Sequence, residues 1–230
     1  MLMGNRISHL DWLHRIRHCI QLPIECESME KNVQQSWEGF LDPTVLRPRI
    51  ICASLYIVVF ESLKESIVNR LRNFYWIGFD EHGHKTDPSY ETEVLSRKRS
   101  PVFASLDWLR ERNAIEEVDI ETFRSVKACR NVLAHELISL LSDKGMPDNF
   151  HECFEKMVAL HRKIEMWWLM EVEIPSNPQF DGKTIDANEV IPGPMIALNM
   201  LCDIALGDEE KSFSYLRQFR KLSEQKRANE

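Results

Sequence analysis

Residues 130 to 135 read Arg-Asn-Val-Leu-Ala-His. Arginine stays charged and presents several donors in a planar fork, which suits an anionic substrate. Histidine exchanges a proton at a reference pKa of about 6.5, which suits acid and base work. Arg130 is also out of place as a packing residue. Phe123, Val126, Leu133, Leu137 and Leu140 recur at spacings of three and four and predict the core-facing stripe of one helix. The missing member of that series is position 130. A guanidinium there costs free energy unless it is paired or reaches a wet cleft.

His135 lies five positions further on, about 140° around an ideal helix, so it does not share a face with Arg130. Asn131 and His135, one turn apart, do share one. Arg130 and His135 can then meet on one substrate in two ways. The helix starts or bends near 130, or two copies of the motif face each other across a dimer.

The elements that must position this segment read as helices almost throughout. The first helical stretch spans about 8 to 37, as one helix or as two broken near Pro23. Asp42-Pro43 breaks the chain, and a second helix runs from about 45 to 76. Residues 78 to 100, with His82-Gly83-His84 and Arg97-Lys98-Arg99, read as an exposed loop. Pro101 then starts a helix carrying Trp108, the motif helix spans about 119 to 141, and another covers 148 to 172. A polar, Pro-containing linker covers 174 to 194, and two shorter helices near 195–206 and 208–226 finish the chain. The expected architecture is all-α: an up-and-down bundle over 1–173, then a linker and C-terminal helical hairpin over 174–230. The hairpin packs on the bundle or serves dimerisation.

The chain has 230 residues, a net charge of −7 and a hydrophobic fraction of 43%. That is enough for one good core. The acidic balance argues against bulk coating of nucleic acid, though not against a small basic site. Six cysteines without a C-x-x-C pair, and no apolar leader before them, read as reduced thiols in a cytoplasmic protein. The longest apolar run, 50 to 60, is too short to span a bilayer, so no membrane association is expected. A Gly-rich phosphate loop and a G-x-S-x-G elbow are both missing.

The segment Arg130-Asn131-Val132-Leu133-Ala134-His135, in an all-helical setting and flanked by Val126 to Cys129 and by Glu136-Leu137, resembles the motif helix of the HEPN superfamily. The resemblance covers about residues 10 to 172. It departs from toxin members that carry a Tyr shortly after the His; here those positions are Glu136, Leu137 and Ile138. The resemblance implies a metal-independent endoribonuclease, or a non-catalytic relative, working as a homodimer with both motifs at the interface. No cofactor is implied. His135 would take the proton from a ribose 2′-OH or protonate the leaving 5′-oxygen. Arg130 would hold the scissile phosphate. Asn131 would orient His135 or donate to the phosphate, and Lys127 and Arg124 would extend the phosphate-binding surface. Family analogy adds a toxin or antiphage-defence role, with an antitoxin or defence-system protein as partner.

Plainer readings stand beside these. Arg130 can be a structural cation paired with Glu61 or Glu65, which leaves a non-catalytic helical interaction module. His14 and His18, one turn apart, suit two metal ligands, but no further ligand completes a set and no metal site is expected. Trp12, Trp37, Trp108, Trp167 and Trp168 sit among apolar neighbours and default to core or dimer interface. The basic residues from Lys211 onward read as a solvated helix face.

Overall fold

The computed structural model describes residues 15–16, 37–81 and 83–228. The His14/His18 pair, Trp12, Cys19, Cys26 and nearly all of the first expected helix lie outside those residues. Helix α1 spans Pro43–Phe74. Asp42 starts it, its carboxylate accepting from the Thr44 amide at 2.8 Å. A hairpin follows, β1 (Trp76–Asp80) against β2 (Gly83–Thr86), antiparallel with Phe79 opposite His84. Next come α2 (Ser89–Glu93), α3 (Pro101–Glu111), α4 (Glu117–Ser139) and α5 (Phe150–Trp168). The last helices are α6 (Gly193–Leu206), α7 (Glu209–Ser212) and α8 (Ser214–Ala228). The fold is all-α, with the small hairpin as its exception. Among the described residues no helix is long and apolar enough to cross a membrane.

The chain divides into two compact units that interleave along the sequence. One comprises 56–131 and 152–194. Its core is a stripe on α1 at three- and four-residue spacing: Tyr56, Val59, Leu63, Ile67 and Leu71, all fully buried. Phe123 and Val126 of α4 and Phe154, Met157 and Ile164 of α5 are buried in the same unit. Phe60 stacks on Phe123, and Tyr56 meets Phe154 edge to face. The Tyr56 hydroxyl donates to the Val126 carbonyl at 3.0 Å, which fixes α4 against α1 inside the core. The other unit comprises 1–55, 132–151 and 195–230. Cys52, Leu133, Phe150, Leu198 and Cys202 are buried within it. There Asp203 accepts from Tyr215 at 2.9 Å and pairs with Lys211 at 2.7 Å.

Several sequence expectations need correction. The stretch 78–100 is not an open loop: it forms the hairpin, α2 and a 3-10 turn at Leu95–Arg97. Positive φ at Gly78 and Gly83, at the hairpin's bulge and turn, permits that tight path. Arg97 is not a free loop cation either, for it pairs with Asp107 at 3.3 Å and with Glu111. Of the tryptophans expected at core or dimer interface, Trp108 and Trp168 are core and Trp37 is exposed. Leu137 is 37% exposed although its angle suits the apolar stripe. Periodicity fixes a face of a helix but not how far along it the covering elements reach. The four described cysteines, Cys52, Cys129, Cys153 and Cys202, are buried.

Candidate functional site

Helix α4 carries the whole motif. At its start the Asp119 carboxylate accepts from the Glu116 amide at 2.8 Å, and the Asp119 amide donates to the Glu116 carbonyl at 3.1 Å, which together close the first turn. From Glu117 the helix runs unbroken to Ser139, and a π-helical turn, Leu140–Lys144, follows. The helix does not start at 130: its α-helical hydrogen bonding is continuous through the motif. Arg130 and His135 leave one helix on different sides.

The buried stripe passes through Cys129 rather than position 130. Arg130 therefore sits at the margin of the core, with 31% of its side chain exposed. Its Nη2 donates to Glu61 Oε1 of α1 at 3.0 Å, and its Cζ lies 5.6 Å from the Phe60 ring centroid. Its Nε is buried without a hydrogen-bond partner among the described residues. Glu61 also accepts from Lys64 at 3.2 Å. Partial burial works against ionisation of Glu61, but the bonds from Lys64 and Arg130 outweigh it and hold the carboxyl below its ordinary value.

Asn131 and His135 are both exposed, one turn apart. Arg124 and Lys127 are exposed on the same side of α4. Arg124 pairs with Glu121 at 3.3 Å, and both cations lie over the Phe103 ring, at 4.7 and 5.5 Å. One side of α4 is thus a polar and basic stripe, Arg124, Lys127, Asn131 and His135, while Arg130 leaves toward Glu61. The helix brings Asn131 and His135 together. It does not bring Arg130 to His135. A cleft of about 270 Å³ adjoins the Arg130 partner, lined by Glu61, Lys64 and Glu65.

One buried polar cluster escapes sequence reasoning. Ser66 Oγ lies 3.0 Å from His161 Nε2 and gives its own proton to the Ser62 carbonyl at 3.1 Å. The other ring nitrogen of His161, Nδ1, has no hydrogen-bond partner among the described residues. Burial pushes the His161 pKa down, Glu165 pulls it up and Arg70 adds to the lowering. Arg70 bridges Glu165, which is buried, and Glu173, which is exposed. The only sequence trace is His161 and Glu165 one turn apart, a spacing common on any solvated helix. Among the described residues no three His, Cys, Asp or Glu side chains converge as a metal-ligand set.

No protein-family model matches the chain, and neither the curated proteins nor the solved structures give a match.

Proposed function

We propose that this protein is a metal-independent endoribonuclease of HEPN type that acts as a homodimer. The observation that carries the reading is the exposed Asn131–His135 face on an unbroken α4, with Arg130 half-exposed on another side of the same helix. Five positions on a helix set the two groups about 140° apart, and a second copy of the chain supplies the missing half. In the composite site His135 moves the proton of the 2′-OH or of the leaving oxygen. Arg130 neutralises the charge that builds on the phosphate. Asn131 orients His135, and Lys127 and Arg124 steer neighbouring phosphates. Glu61 holds the guanidinium extended until substrate arrives. The cellular role would be that of a toxin or antiphage-defence component, with a partner protein that restrains it.

The test is RNA cleavage in excess EDTA with analysis of the product ends. Attack by the 2′-OH leaves a cyclic phosphate and a 5′-hydroxyl. Products with 3′-hydroxyl and 5′-phosphate ends, or activity lost to EDTA, would overturn the mechanism.

One observation favours a second reading, a non-catalytic helical interaction module. Arg130 already has a carboxylate partner, Glu61, inside its own protomer. On that reading His135 is a solvated surface group, and its substitution leaves every binding property unchanged.

A further inference from the structure

The unit formed by 56–131 and 152–194 holds a second feature, an open cleft of about 580 Å³ with aromatic walls. Its volume lies in the usual range for small-ligand sites, roughly 300–1,000 Å³. Phe74, Trp108, Arg112, Trp167, Glu171 and Ser176 line it.

The wall is built rather than incidental. The Trp108 indole is buried and held by its edge. Its Nε1 donates to the Tyr75 hydroxyl at 3.0 Å, which donates to Glu93 at 2.7 Å. Trp168 stacks beside it, with planes 16° apart, and Phe74 and Trp167 meet it edge-on. The Arg112 guanidinium sits over this indole, its Cζ 3.6 Å from the ring centroid. Backbone geometry fixes Arg112 there. It caps α3, Asn113 follows with φ of 57°, and the Asn113 and Ala114 amides return to Arg110 and Leu109. That is a Schellman ending, which sets the direction in which the capping residue leaves the helix. Also in the lining is Glu171, on the π-helical turn Leu169–Glu173 into which the chain passes from α5. Such turns recur at functional sites.

A planar guanidinium resting on an indole is a stacking shelf. The charge on that shelf is balanced by Glu111 at 3.4 Å and Glu93 at 3.7 Å, so the cleft is a poor site for a free phosphate. The same guanidinium would repel a quaternary ammonium. A neutral, flat heterocycle with donors at its edge fits all three conditions, because it stacks on Arg112, Trp167 and Phe74 while Glu171 and Ser176 bond its edge. We infer that this cleft binds a single unstacked nucleobase, with Arg112 as the stacking platform. The identity of the ligand as an RNA base rests on the ribonuclease reading; the binding of a flat heterocycle does not.

Titration of the full chain with adenosine, guanosine, cytidine and uridine, read by tryptophan fluorescence and calorimetry, tests it. Base stacking on one such platform is worth about 1–3 kcal/mol, or roughly five- to 150-fold in affinity. Arg112→Ala should weaken the tightest nucleoside by about that factor, and Arg112→Lys should not rescue it. Ser176→Phe, on the exposed rim, should block the cleft without touching the core. Ribose 5-phosphate should not bind. Undetectable nucleoside binding, equal binding of ribose 5-phosphate, or affinity unchanged by both Arg112→Ala and Ser176→Phe would each overturn the proposal. His135→Ala should bind nucleosides as the natural chain does. Binding without any RNA cleavage would sink the nuclease reading and leave the cleft standing. Cleavage with base preference unaffected by Ser176→Phe would do the reverse.

Discussion

Truncation of either member of the Arg130–Glu61 pair separates the structural weight of Arg130 from its chemical one. The pair is short, at 3.0 Å, but 31% of the Arg130 side chain and 43% of the Glu61 side chain remain exposed. Water and salt screen such a pair, and its coupling energy should be about 0.5–1 kcal/mol. Arg130→Ala also removes the guanidinium whose Cζ lies over the Phe60 ring, 5.6 Å from its centroid. Its total cost should be about 1–2 kcal/mol, well within what a folded domain of this size tolerates. Urea unfolding of the natural chain, Arg130→Ala, Glu61→Ala and the double variant gives the coupling directly. Cleavage of RNA by the same four proteins gives the chemistry. Arg130→Ala should lose about 10²–10³ in rate, as loss of one charge-stabilising donor does. Glu61→Ala should keep most of the activity, since the guanidinium survives. A coupling near zero would mean that the pair does not form in solution. One above about 3 kcal/mol would mean a buried pair, against the observed exposure. Equal losses of cleavage in the two single variants would mean that Arg130 acts only through Glu61.

Three further outcomes follow from the packing. Burial, and then Arg70, lower the His161 pKa against the upward pull of Glu165, so the unfolded chain takes up that proton first. Stability should be flat above the ordinary value of 6.5 and fall as pH drops below it, by at most about 1.4 kcal/mol per pH unit until the folded group titrates; His161→Gln should remove that limb in pH-dependent unfolding. Burial pushes the Cys129 thiol up to about 11 and the Cys202 thiol, beside Asp203, up to about 12; both should resist alkylation in the native state and react on unfolding. Leu133→Ala should cost about 2–5 kcal/mol and Leu137→Ala far less, since Leu133 is core and Leu137 is partly open; equal costs would show that α4 is packed differently.

Much of the helical layout was legible because apolar spacing and Pro punctuation are local signals. Pro43, Pro101 and Gly145 fall at or beside helix ends, and the α1 stripe from Tyr56 to Leu71 repeats cleanly. The hairpin at 76–86 was not legible. Its strands are short and largely exposed, so they lack the apolar alternation that marks a half-buried strand. Arg130 was recognisable as an anomaly, and Glu61 was one of two partners the helix spacing allowed. The placement of the core one residue earlier, through Cys129, was not recognisable, because positions 129 and 130 both border the stripe. The Ser66–His161 and Trp108–Trp167 contacts join residues distant in the chain, for which one sequence carries no local sign, and Arg112 one turn after Trp108 is a spacing common on any helix.

The most direct measurement is single-turnover RNA cleavage by the natural chain, Arg130→Ala and His135→Ala, each in EDTA. A ribonuclease with its proton-transfer group at His135 should lose about 10²–10⁴ in rate on His135→Ala, with the fold and thermal midpoint intact. Cleavage that survives both substitutions undiminished, or a natural chain that leaves RNA uncut, would contradict it.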